Sequence, residues 1–237
     1  MTPVDLLESA CADAWPPVVE RSLGQWRLRA AGGYTGRANS VLAVGDPGMP
    51  CSVALRRVVA FAGERDIAPS AQVVVGSAVE SDLVGAGWVV NTAHPRGSLV
   101  SVMVGSPRLP EAVAVDVADT PPPGWFDLAV GGEPTPAQRH VLTSGPCVAF
   151  ATVHDGDHLV GIARGCAVRG WTHVSVVEVA PGSRRRGIGT ALLAALARWG
   201  GGRVVLQVSV DNLGALALYE RLGLVESHRY RYWVPSA

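Results

Sequence analysis

The segment Val174 to Gly200, VSVVEVAPGSRRRGIGTALLAALARWG, constrains this chain more than any other. A β-branched run ends at Ala180-Pro181, a loop of Gly182, Ser183 and three arginines follows, and Gly187-Ile188-Gly189 then opens an apolar helix. Those parts in that order make an anion site. Unpartnered N–H groups at a helix start point outward, glycines admit a ligand close to the main chain, and the helix dipole favours negative charge. Arginine adds charge-assisted hydrogen bonds. The ligand implied is a phosphate or pyrophosphate.

A chain of 237 residues suits two domains of about 110 to 120 residues each. Hydrophobic residues make up 48% and charged residues 17%, which gives ample core and too little charge for disorder. The net charge is zero, yet residues 1–120 carry 9 Arg against 12 acids and residues 121–237 carry 11 Arg against 8, so the halves stand at −3 and +3. Three of the second half's positives sit in the loop, so the asymmetry reads as a local anion site and no nucleic-acid partner is expected. Cys11, Cys51, Cys147 and Cys166 form no C-x-x-C pair and the histidines show no metal spacing, so neither a disulfide framework nor a metal site is expected. The N-terminus carries acids early and lacks a basic start with an apolar core, and no 18-residue apolar run occurs. The chain therefore reads as soluble and cytoplasmic, with no membrane partner.

Patterning predicts helices over 3–13, 52–66, 80–86, 188–199 and 215–222, with 124–143 partly helical. Strands are expected over 25–31, 38–45, 71–76, 88–92, 99–104, 147–153, 158–168, 172–180, 204–210, 224–226 and 230–234. The first two should form one hairpin, and 147–153 with 158–168 another around His154–Asp157. Thr120 to Gly124 is the best linker.

The same order of elements recurs in both halves, with Pro47 matching Pro181, Leu55 matching Leu192, Val73 matching Val204, and Gly87-Trp88 matching Gly223-Leu224. From Pro47 to Leu55 is 8 residues and from Pro181 to Leu192 is 11, so the first half lacks a phosphate loop's length of chain. This predicts an α/β (α+β) architecture of two mixed-sheet domains in tandem, 1–120 and 125–237 joined by 121–124, with only the second equipped for phosphate.

Arg184, Gly187 and Gly189 read R-x-x-G-x-G, and Asn212 to Leu224 reads N-x-x-A-x-x-L-Y-x-x-x-G-L. Together with Val179-x-Pro181, these segments resemble the two signatures of the GNAT (GCN5-related N-acetyltransferase) superfamily over roughly residues 145–237. The resemblance implies two GNAT-like folds in tandem, the first degenerate, and an acetyl-CoA (coenzyme A) cofactor. It also implies a backbone edge at Val177 to Val179 that pairs with the pantetheine arm, and Arg184, Arg185, Arg186, Gly187, Ile188, Gly189 and Thr190 around the pyrophosphate, with Asn212 and Tyr219 completing the cofactor site. An extended amide-bearing arm suits an unpaired strand edge on physical grounds too. The three arginines could instead be a solvated surface run.

By the same resemblance Tyr219 would protonate the departing thiolate, against the alternative of an amphipathic tyrosine at a helix end. For the base, the strand offers His173 and Glu178, with water as the other choice. On a regular strand these two project to opposite faces, so both can face an acceptor only if a bulge intervenes. The activity implied is direct transfer of an acetyl or other acyl group from CoA to a primary amine, a small molecule or a peptide N-terminus, in a ternary complex. A non-catalytic acyl-CoA-binding or interaction module is the alternative. The oligomeric state is open, and a monomer fits because a tandem repeat can supply within one chain the packing that a dimer gives.

Overall fold

A computed structural model describes residues 2–95, 97–107 and 113–236. The elements are α1 (Pro3–Ala14), β1 (Val19–Leu23), β2 (Trp26–Ala30), β3 (Val41–Leu42), α2 (Cys51–Glu64), β4 (Ala71–Val74), α3 (Ala78–Gly85), β5 (Trp88–Val90), β6 (Leu99–Gly105) and β7 (Asp116–Ala118). There follow α4 (Trp125–Val130), α5 (Pro136–Thr143), β8 (Val148–Asp155), β9 (His158–Val168), β10 (Trp171–Val179), α6 (Ile188–Trp199), β11 (Val204–Ser209), α7 (Leu213–Arg221) and β12 (Val225–Pro235). Among the described residues no helix is long and apolar enough to cross a membrane.

The chain divides into two compact units that are not consecutive in sequence. One gathers 1–102, 208–212 and 226–237, the other 103–207 and 213–225. The segments 1–120 and 125–237 expected from the linker are therefore not the units: residues after 102 fall in the second, and β12 closes the first by pairing antiparallel with β4, Tyr230 opposite Val74 and Trp233 opposite Ala71.

In the first unit the hairpin is not the expected one of 25–31 with 38–45 but β1 with β2, Val19 opposite Ala30 and Leu23 opposite Trp26. The expected partner of β2, the strand over 38–45, shrinks to Val41–Leu42 and meets it at Arg27–Leu42. β3 then runs parallel to β4. The core holds Trp26, Leu28, Leu55, Val58, Phe61, Val73, Leu83, Trp88 and Trp233. Beside it runs a buried polar chain. Arg29 Nη2 donates to Gln72 Oε1 at 2.8 Å, Gln72 Nε2 donates to Glu8 Oε2 at 2.6 Å, and His228 Nε2 lies 2.7 Å from Glu8 Oε1. Burial lowers the Arg29 pKa to about 10. The expected break between strands 224–226 and 230–234 is absent: the intervening polar residues find partners, His228 on Glu8 and Arg229 on Glu226 at 2.8 Å, and β12 runs through.

The second unit repeats the same scheme. β8 and β9 form a hairpin, β9 and β10 pair antiparallel, and β10 runs parallel to β11 after the crossover helix α6. One face of this sheet receives α6, whose Ile188 and Ala191 to Ala197 are all buried. The helix sits close because β9 presents Gly161 beneath Ile188 and Leu192, and Gly165 beneath Leu196 and Trp199. The other face carries Phe150, Ile162, Arg164 and Cys166. Trp125 of α4 packs edge-on against Phe150 at 5.1 Å, and the buried Arg164 donates through Nε and Nη2, each at 2.6 Å, to the Leu142 and Ser144 carbonyls at the end of α5.

Candidate active site

β10 is where the second unit departs from regular geometry. Its parallel pairing with β11 covers Thr172–Val204 to Val174–Leu206 and, among the described residues, goes no further. Its antiparallel pairing with β9 continues to Val179–Gly161, but with one residue too many: Ser175 faces Arg164, and the next pair is Glu178 with Ile162. That is a β-bulge, and Val176 takes it up at φ +53°. A β-branched residue in that region is a strained outlier, of the kind concentrated at functional sites. Among the described residues no strand pairs with Val177 to Val179 on the β11 side, the Val179 carbonyl taking Arg184 Nε alone, and an extended amide-bearing ligand can add main-chain hydrogen bonds there.

The bulge also decides the faces. Cys166, Arg164 and Ile162 alternate along one side of β9, and their partners His173, Ser175 and Glu178 therefore share that side. Yet the two base candidates differ completely in access. His173 is 0% exposed, so it cannot take a proton directly from an incoming amine, whereas Glu178 is exposed. Tyr219, on α7, is buried to 8% exposure; burial first, and the negative charge of Glu178 second, push its pKa up to about 12. Glu178 and Tyr219 are thus electrostatic neighbours, Glu178 lying beyond the last β10–β11 pair.

After β10 the chain makes a 3₁₀ turn at Pro181–Ser183. Arg184 follows in extended conformation, Arg185 at φ +64°, and Gly187 at φ +79° as the N-cap of α6. The first intrahelical bond runs from Ala191 N to Gly187 O at 3.0 Å, and no side chain caps the helix, so the N–H groups of Ile188, Gly189 and Thr190 point outward. Gly187 answers to its positive φ. Gly189 answers to neither conformation nor crowding, since an added Cβ would meet Leu218 at an ordinary 3.4 Å. Its lack of a side chain leaves the main chain there open to close approach from outside.

The three arginines diverge. Arg184 Nε donates to the Val179 carbonyl at 3.2 Å, Arg186 Nη1 pairs with Asp155 Oδ2 at 2.7 Å, and Arg185 has no side-chain partner among the described residues. The Arg186 guanidinium, by hydrogen bond and by charge, holds the Asp155 carboxyl below its ordinary pKa. Asn212 is exposed in the turn before α7, its N–H on the Ser209 carbonyl at 3.0 Å. Val176, Arg164 and Asp155 were not singled out from the sequence. Nothing local marks the first two, and Asp155 was visible only as a turn residue.

A family described as "Probable histone acetyltransferase Rv0428c C-terminal" matches residues 3–233. The chain belongs to this family, and so to the GNAT superfamily. This GNAT chain is also 25% identical over 246 residues to an uncharacterized N-acetyltransferase, YobR, of Bacillus subtilis (strain 168), covering 98% of this chain and 99% of that protein. Among solved structures, a GCN5-related N-acetyltransferase from Kribbella flavida is similar at a TM-score of 0.72 and 18% identity, over 100% of this chain and 97% of that one. A tandem GNAT protein from the clavulanic acid biosynthesis pathway is similar at a TM-score of 0.60 and 15% identity, over 100% and 90% of the two chains. Both span the whole chain, in keeping with two GNAT-like folds in tandem.

Proposed function

We propose that this protein is an acyl-CoA-dependent N-acetyltransferase whose chemistry resides in the second unit. One observation carries the reading: the strand edge freed by the Val176 bulge leads straight into the uncapped, arginine-flanked start of α6. An extended pantetheine arm and a pyrophosphate are joined in that same order in CoA. The edge at Val177 and Val179 would hold the arm, and the N–H groups of Ile188, Gly189 and Thr190, with Arg184, Arg185 and Arg186, would hold the pyrophosphate. The residues fit the cofactor, which supplies a thioester-activated acyl group.

The chain's own groups then divide the work. Glu178, exposed beside the freed edge, accepts the proton of the amine directly or through water. A backbone N–H near Val179 is the donor available to negative charge developing on the acyl oxygen. The Tyr219 hydroxyl, kept protonated by burial and by Glu178, delivers a proton to the sulfur. His173 stays in the core as a packing residue. The first unit is a degenerate copy: Pro50 caps α2 and no R-x-x-G-x-G loop precedes it, so one cofactor binds per chain. Four free cysteines suit a reducing cytosol.

Calorimetric titration with acetyl-CoA should give one site per chain. Release of free thiol should then follow addition of a primary amine from a panel of small amines, a peptide N-terminus and, because the family description names histones, a lysine-bearing peptide. Binding without thiol release from any of them would favour a non-catalytic acyl-CoA-binding module, and no binding at all would refute both.

A further inference from the structure

The hairpin of β8 and β9 places an anion beside the phosphate loop. Asp155 ends β8 and pairs across the turn with His158, while Val179–Gly161 brings the end of β10 alongside β9 just past the same turn. The ladder therefore fixes Asp155 where Arg186 can reach it, and the two meet at 2.7 Å with side-chain exposures of 53% and 54%. A carboxylate this close to a loop read as a phosphate site has two effects. It occupies one of the loop's cations, and it adds a like charge near the incoming phosphate.

We propose that Asp155 sets the anion affinity of the loop by competing with the ligand's phosphate for Arg186. The proposal rests on the reading of the loop as a CoA pyrophosphate site. In the free protein Arg186 is shared between a paired and a free form, and only the free form serves the ligand. The apparent dissociation constant is the intrinsic one divided by the free fraction. Every ligand that uses Arg186 is weakened by the same factor, and a ligand that bypasses it is not. For an exposed ion pair that factor is about two- to sixfold. The pyrophosphate of CoA, with two negative charges and four non-bridging oxygens against the single charge of a carboxylate, displaces Asp155, so the pair exchanges and does not block.

The experiment titrates CoA and, separately, inorganic pyrophosphate into four full-length proteins: wild type, Asp155→Asn, Arg186→Gln and the double variant. Asparagine keeps the shape of the turn while removing the charge. Asp155→Asn should bind both ligands about two- to sixfold more tightly, by the same factor for each. Arg186→Gln should weaken both, and in its background Asp155→Asn should gain clearly less than in the wild type, only what removal of the like charge leaves. If wild type binds neither ligand, the loop reading fails and the proposal with it. If wild type binds both but Asp155→Asn binds no more tightly, the proposal alone is overturned. A gain that persists undiminished without Arg186 also overturns it, because Asp155 would then act by general repulsion.

Discussion

The seating of α6 on β9 makes a prediction that separates stability from ligand binding. Gly161 and Gly165 both lie beneath the helix, and neither has a positive φ, so the effect of adding a methyl there is steric alone. At position 161 the new Cβ would collide with Ile188 Cγ2 and touch Leu192 Cδ1 at 3.4 Å; at position 165 it would lie 2.8 Å from Leu196 Cδ2 and 3.3 Å from Trp199 Cζ3. Ile188 is the first residue of α6, 4% exposed, and follows directly on Gly187. Gly161→Ala therefore pushes on the turn that carries the outward N–H groups, and Gly165→Ala pushes on the far half of the helix. Overpacking of this kind costs about 1–3 kcal/mol, so both variants should lower the urea midpoint by similar amounts without changing the slope. Only Gly161→Ala should weaken CoA, by tenfold or more if the helix start moves by a few tenths of an ångström, as each lost charge-assisted hydrogen bond is worth about 1.5–3 kcal/mol. Ile188→Ala removes the colliding atom. Alone it should cost about 2–5 kcal/mol, yet in the Gly161→Ala background it should cost at least 1 kcal/mol less. Additive costs in that cycle, or equal loss of CoA affinity from the two glycine variants, would refute the argument.

Tyr219→Phe should lower kcat by about 10² to 10⁴ with little change in KM for acetyl-CoA, as measured by thiol release. Since the Tyr219 pKa is raised from 10 to about 12, the hydroxyl stays protonated through the working range. Its burial as the neutral form stabilises the fold fully below pH 10, and about 3 kcal/mol of that is lost as pH rises through 12, a loss that urea titrations of the phenylalanine variant should not show. Glu178→Gln should slow thiol release and also shift the ultraviolet-monitored ionisation of Tyr219 to lower pH, because it removes the second cause of the raised value. Glu8→Ala should cost about 3–5 kcal/mol, because His228 and Gln72 lose a buried partner, and hydrogen exchange should show protection lost in β12 as well as in α1.

Much of the candidate site was legible because its signals are local. The loop from Ala180 to Thr190 shows its glycine, proline and arginine punctuation within eleven residues, and α6 occupies 188–199 as its apolar run predicts. What could not be read is non-local or nearly silent. β1 escapes notice because VERSL exposes its three central residues and shows no alternation, and Asp116–Ala118 is exposed throughout. Residues 230–234 were legible as a strand, but pairing with β4, more than 150 positions away, leaves no mark in the local pattern. His173 looks the same in sequence whether it lines a cleft or lies at 0% exposure between packed layers. The bulge is hidden most thoroughly, since VSVVEV reads as an unbroken strand and gives no sign of which residue is extra.

That extra residue ties the parts of the site together. Without it, β10 would continue in register beside β11, its edge would be spent on ladder hydrogen bonds, and Glu178 would project to the face that receives α6. With it, one insertion opens the sheet and turns the carboxylate to the opposite side, within electrostatic reach of Tyr219. Holding valine at φ +53° costs on the order of 1–3 kcal/mol, and glycine there would relieve the strain. Relief would also free the bulge to relax. The pairs on either side, Ser175–Arg164 and Glu178–Ile162, clamp it, and Arg164 is itself anchored by two hydrogen bonds to the end of α5. The bulge is thus flanked by a strand pair whose β9 member, the fully buried Arg164, is itself fixed by two short hydrogen bonds.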